Sequence, residues 1–297
     1  MILLLQFPEG LKQKALEYAE KYEQDGHEIY LSSAPCFGAC DLALEEAKAV
    51  NADKIIHFGH SKFINSTLPI KVEYVEFPID IDLKILQNSL EYLKDYRKIA
   101  LATTIQHIHQ LEKIKEFFNS KGKIILTQKG NKTSYEGQIL GCDPNAITRV
   151  EKDSDAVLFI GDGLFHALAI KIEKPVFVLN PYSGGIRKIN GEIEKLKKKR
   201  KGMLAGAYVS KTFGILVSTK PGQFNLSSAK IIKKKLREKG KEAHILIANN
   251  FDSYSLENFM AFDCYITTAC PRISDDSGQF EKPILDLELF EELIKML

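Results

Sequence analysis

With 297 residues, 44% of them hydrophobic and 27% charged, the chain can bury cores without disulfide or metal staples. A formal net charge of +2 gives no basic field for dedicated nucleic-acid binding. The opening MILLLQFPEGL has too short an apolar run for a signal or membrane segment and lacks a basic leader, so it reads as a strand of a cytoplasmic protein.

Strand 2–6 (ILLLQ) leads into an amphipathic helix whose apolar set is Leu11, Ala15, Tyr18, Ala19 and Tyr22, ending at Gly26. A second strand, HEIYL, precedes the loop APCFGAC, which carries Cys36 and Cys40. On its own this pair fits half of a metal site, a redox pair or two buried thiols. Asp41 is a good N-cap for the helix LALEEAKAV, and the strands DKIIHFGH and VEYVEF (72–77) close the unit.

The pattern then recurs. Strand 99–103 (IALAT), a helix with Leu111, Ile114 and Phe118, a stop at Gly122 and the strand KIILT lead to Cys142. Asp143 can cap a following helix and Pro144 suits its first turn, before DAVLFIGDG and KPVFVLN (174–180). Asp53 and Asp155, Gly59 and Gly161, and Cys40 and Cys142 each stand 102 residues apart. The basic run EKLKKKRKGM reads as a solvated helix face or connector; its functional alternative is docking an acidic surface of a protein substrate. The third round has strand 214–218 (GILVS), a helix with Ile231, Ile232 and Leu236, Gly240, the strand EAHILIA, and then DCYITTACP and KPILDL (282–287). Its Cys270 follows the third strand instead of the second.

Alternating strands and helices imply parallel βαβ units. The expected fold is therefore α/β: three pseudo-repeated small domains, 1–95, 96–205 and 206–297, with parallel sheets arranged around a pseudo-threefold axis. Boundaries fall near 95 and in the basic segment 190–206. Cys40, Cys142 and Cys270 sit on loops beyond strand ends, where such sheets bind ligands. Cys40 and Cys142 each precede a helix start that should favour thiolate. Three thiolates can hold three irons of a 4Fe-4S cluster and leave the fourth iron open. Any one cysteine alone is better read as a small buried residue, but the shared offset and placement reverse that for these three. Cys36 and Cys264 stay ordinary buried thiols, and His57, inside an apolar strand, a core or supporting histidine.

Together PCFGACDLA with IIHFGHS, GQILGCD with FIGDG and NPYSG, and VSTKPGQ with TTACPRISDD and KPIL resemble the archaeal diphthamide biosynthesis enzyme of the first step, over nearly the whole chain. The resemblance implies a homodimer of three-domain subunits, each holding a 4Fe-4S cluster on Cys40, Cys142 and Cys270. It implies noncanonical radical chemistry on S-adenosylmethionine, needing an external electron donor, with position 43 an alanine where ordinary radical enzymes continue CxxxCxxC. A 3-amino-3-carboxypropyl group would go to C2 of a histidine of translation elongation factor 2, releasing 5′-methylthioadenosine. Contacts to S-adenosylmethionine would come from His60, Ser61, Gly161, Asp162, Lys220, Gln223 and Arg272, the bland reading being tight turns and satisfied loop groups. Two rivals are a quinolinate synthase-like 4Fe-4S enzyme and a non-catalytic iron-sulfur scaffold subunit.

Overall fold

The computed structural model describes residues 1–275 and 280–297; Asp276 of the ISDD motif lies outside them. The strands are β1 (Ile2–Gln6), β2 (Glu28–Leu31), β3 (Lys54–Phe58), β4 (Lys71–Val75), β5 (Lys98–Thr103), β6 (Ile124–Leu126), β7 (Ala156–Ile160), β8 (Val176–Leu179), β9 (Ile186–Lys188), β10 (Thr212–Ser218), β11 (Glu242–Ala248), β12 (Cys264–Thr267) and β13 (Ile284–Leu285). They form three sheets in the orders β2-β1-β3-β4, β6-β5-β7-β8-β9 and β11-β10-β12-β13. The α/β reading with three parallel-sheet repeats holds. Two compact units contain them: Met1–Gly191 has the first two sheets and Glu192–Leu297 the third.

The central strands are continuous apolar runs because helices cover both faces. Leu3, Leu5, Ile56 and Phe58 pack with Ala19 and Phe7 on one side of the first sheet, and Leu4 and Ile55 with Ala43 and Ala47 on the other. In the second sheet Ile99, Leu101, Leu158 and Ile160 pack against Leu111, Ile114 and Phe118. Phe213, Ile215 and Val217 meet Ile232, Leu236 and Phe290 in the third. Gly26, Gly122 and Gly240 end their helices at φ +81°, +76° and +72°.

The three recurring aspartates act at the amino-terminal ends of the sheets. Asp53 Oδ2 accepts Ile2 N, Asp155 Oδ2 accepts Arg97 N and Lys98 N, and Asp263 Oδ2 accepts Lys211 N and Thr212 N. Each ties the first strand of its unit to the third.

One strand departs from the all-parallel expectation. Asn180 accepts Tyr182 N and Ser183 N, and Gly184 takes φ +67°, so the NPYSGG turn reverses the chain and β9 pairs antiparallel with β8. The basic run also differs from a purely solvated face. It lies in the helix Asn190–Val209, where Arg200, 6% exposed, bonds Asp286, Asp275 and Glu288. A guanidinium removed from water needs such paired carboxylates.

In each sheet the chain leaves the first strand toward one neighbour and returns for the third strand on the other side. Such a switch opens a crevice beyond the carboxyl ends of those two strands.

Candidate functional site

At the carboxyl end of the first sheet, Gln6 and His57 are register partners on β1 and β3. Gln6 Oε1 accepts Ala43 N at 3.1 Å, while Gln6 Nε2 donates to Asp41 O at 2.8 Å, which fixes the amide's orientation. His57 Nδ1 lies 2.9 Å from the same Oε1 and must therefore be its second donor. His57 is 0% exposed and burial holds its pKa well below the usual range, with His60 adding to the effect. The neutral ring thus offers the Nε2 lone pair, and His60 Nδ1, at 2.9 Å, donates to it. Burial, assisted by His166 and opposed by the Phe58 carbonyl, brings the His60 pKa down to about 4. His57 is accordingly buried within its apolar strand, as expected from sequence.

The loop bearing His60 is held from the second sheet. Gln106 Nε2 donates to Gly59 O at 2.8 Å, and Gln138 Nε2 donates to Ser61 Oγ at 3.2 Å. Gln6, Gln106 and Gln138 carry this arrangement and were missed in the sequence. One signal was present: ILLLQ, IALAT and GILVS each end an apolar strand on a polar residue. Thr103 Oγ1 donates to Ile160 O, and Ser218 Oγ to Asn249 O, so all three polar ends tie neighbouring backbone.

Cys40, Cys142 and Cys270 are partly exposed, whereas Cys36 and Cys264 are buried. Within the unit Met1–Gly191, Cys40 and Cys142 lie in electrostatic reach of each other. Burial pushes the Cys142 thiol up, Lys132 pulls it down, and the charge of Cys40 adds to the rise. The expected thiolate preference is thus reversed at Cys142. The helix there is too short to win: Asn145–Thr148 has only four residues. Nor is Asp41 a helix cap. Ala43 holds that position, and Asp41 Oδ2 accepts Phe37 N inside the cysteine loop. Asp143 does meet its helix, accepting Asn145 N, with Pro144 as the residue before the first turn.

Gly161 and Asp162 line a cavity of 320 Å³ with Gly163, Asn180 and Arg187 among its walls. Asp162 Oδ1 accepts Gly163 N and Asn180 Nδ2, leaving a fixed carboxylate at its rim. In the unit Glu192–Leu297, Lys220, 4% exposed, donates to Asn250 Oδ1 at 2.6 Å, and Gln223 N bonds Lys220 O. Arg272, two residues after Cys270, is buried and donates to Asp275 Oδ2 at 2.5 Å. Lys220 and Arg272 thus already hold internal acceptors.

The family described as "Putative diphthamide synthesis protein" matches residues 7–294. A 2-(3-amino-3-carboxypropyl)histidine synthase of Pyrococcus horikoshii is 37% identical over 98% of this chain and 85% of its own length. One from Methanocaldococcus jannaschii is 34% identical over 99% and 84%. The crystal structure of Dph2 from Pyrococcus horikoshii with a 4Fe-4S cluster superposes with a TM-score of 0.88 at 35% identity, covering 100% of this chain and 86% of that one.

Proposed function

The chain belongs to the diphthamide synthesis family, as an enzyme of the 2-(3-amino-3-carboxypropyl)histidine synthase type, and from that premise we propose how it works. It holds a 4Fe-4S cluster on Cys40, Cys142 and Cys270 and moves the 3-amino-3-carboxypropyl group of S-adenosylmethionine to C2 of a histidine of elongation factor 2. The other product is 5′-methylthioadenosine. The protein works in the cytoplasm as a homodimer fed by an external electron donor. Among the described residues no helix is long and apolar enough to cross a membrane.

The observation that carries this reading is the pair Cys40 and Cys142, 102 residues apart in sequence yet close enough for their charges to interact on loops of two repeated sheets. Partly exposed thiols on loops of parallel sheets fit a thiolate-held cluster, and Cys270 offers the same group in the other unit. Bound there, the cluster supplies the electron that breaks a carbon–sulfur bond of the sulfonium. The chain's own groups orient the substrate. Asp162 offers its fixed carboxylate to ribose hydroxyls, Gly161 lets the substrate approach the backbone, and His60 and Ser61 present polar edges beside the Cys40 loop. Within the unit Glu192–Leu297 the residues offered for contact are Lys220, Gln223 and Arg272. The quinolinate synthase-like reading gives way to the family match, which runs through all three repeats.

The test is anaerobic reconstitution with iron and sulfide, then incubation with S-adenosylmethionine, dithionite and archaeal elongation factor 2. Mass spectrometry should find 5′-methylthioadenosine and the enlarged histidine. Release of 5′-deoxyadenosine, or an unmodified factor, would sink the mechanism.

A further inference from the structure

We propose that Cys36, His57 and His60 form a mononuclear site for a zinc-like transition-metal ion, separate from the thiols assigned to the cluster. Their donor atoms, one sulfur and two imidazole nitrogens, all lie within 4.8 Å of one another. Cys36 stands 21 positions before His57 and 24 before His60, and it meets them because β1 pairs with both β2 and β3. Cys36 is 4% exposed, so its thiol is a buried group that the cluster assignment leaves without a task.

The arrangement has the features a metal requires. His57 donates its Nδ1 proton to Gln6 Oε1, the outer bond that commonly fixes a ligating histidine and turns the other nitrogen's lone pair inward. The Gln6 amide is itself locked by Ala43 N and Asp41 O, so the tautomer is set by the fold. His57 Nε2 and His60 Nδ1 stand 2.9 Å apart, against about 3.3 Å for two nitrogens on one tetrahedral zinc. A few tenths of an ångström of opening admits the ion. His60 then moves its proton from Nδ1 to Nε2, and Cys36 releases its thiol proton. One thiolate and two imidazoles select zinc or cobalt over magnesium or calcium. A metal there would pin the start of the loop carrying Cys40 to the end of β3.

To test this, the full chain is reconstituted with its cluster, equilibrated with zinc chloride, desalted and analysed for both metals. One zinc per chain is expected beside the cluster iron. Cys36→Ala and His60→Ala should each weaken zinc more than a hundredfold with iron unchanged, and Gln6→Leu should weaken it ten- to a hundredfold. A second measurement uses cobalt and the chain with Cys40, Cys142 and Cys270 replaced by alanine. It should show tetrahedral d–d bands and a sulfur-to-cobalt charge-transfer band that Cys36→Ala removes. Absence of zinc from the loaded protein, zinc that survives both single replacements, or octahedral cobalt without the charge-transfer band would each overturn the proposal.

Discussion

The two ends of the three sheets solve the same problem in opposite ways. At the amino-terminal ends one device is used three times: an aspartate that opens the third strand and accepts backbone N–H groups leading into the first. At the carboxyl ends no two sheets agree. Gln6 accepts from His57 and from Ala43 N, Thr103 donates to Ile160 O at the end of the third strand, and Ser218 donates to Asn249 O beyond the second. Assembly of a parallel sheet needs the same register each time, so one local bond serves all copies. Chemistry at the rim needs different groups at different points around a ligand, and there the repeats diverge.

The largest effect should separate the cysteines by the end at which they act. Cys40→Ala and Cys142→Ala, both on carboxyl-end loops, should abolish the cluster's visible absorption and product formation. Cys264→Ala, inside β12, should leave both in place. Burial pushes the Cys264 thiol far up, so it is a poor ligand whatever its distance from the iron. A bleached Cys264→Ala protein would remove the distinction.

A pair of glycines sharpens the comparison through stability. Gly59, just past β3, takes φ +78°, and an added Cβ would lie 2.9 Å from Pro8 Cγ and 3.0 Å from Leu11 Cδ1. Gly122, where a helix turns toward β6, takes φ +76° with nothing within 4 Å. Gly59→Ala should cost about 2–4 kcal/mol in urea unfolding, strain plus overlap, and Gly122→Ala about 1 kcal/mol, strain alone. Equal losses would mean the carboxyl-end loop has room that its packing denies. Next in size is Asp162→Ala, which should raise KM for S-adenosylmethionine about tenfold with kcat little changed, since the ribose hydroxyls take no part in the bond that breaks. An unchanged KM places the nucleoside elsewhere.

Legibility in the sequence follows the same divide. Strands, helix stops and the recurring aspartates were readable because each depends on residues near in sequence: apolar runs, a glycine after the last helical turn, an acid before a strand. The Cys40 and Cys142 loops were readable through their common offset. The Gln6, His57 and His60 chain was not, because glutamine at the end of ILLLQ gains its partners only when β1 pairs with β3 and the segment 41–43 folds over both. Arg200 misled for a related reason. Within EKLKKKRKGM it is the one arginine among lysines, but only Asp275, Asp286 and Glu288, 75 or more residues later, make its position an interior one. The thiolate expectation at Cys142 failed on magnitude: a four-residue helix has little dipole to set against desolvation.

The smallest expected effect lies at the amino-terminal ends. The N–H groups of Lys98 and Arg97 hold the Asp155 carboxyl below the usual aspartate range, and the backbone bonds from Lys211 and Thr212 do the same for Asp263. Both side chains face solvent, so water can replace the lost bonds. Asp155→Asn should therefore cost only about 0.5–1 kcal/mol at neutral pH. A carboxyl whose pKa is lowered by folding contributes fully above its unfolded value and loses that contribution as pH falls through the folded one. Chemical denaturation of wild type and Asp155→Asn should thus diverge at pH 7 and converge as the solution is acidified below the aspartate range. A gap that persists undiminished in acid would show that the carboxylate's charge is not what joins the first strand to the third.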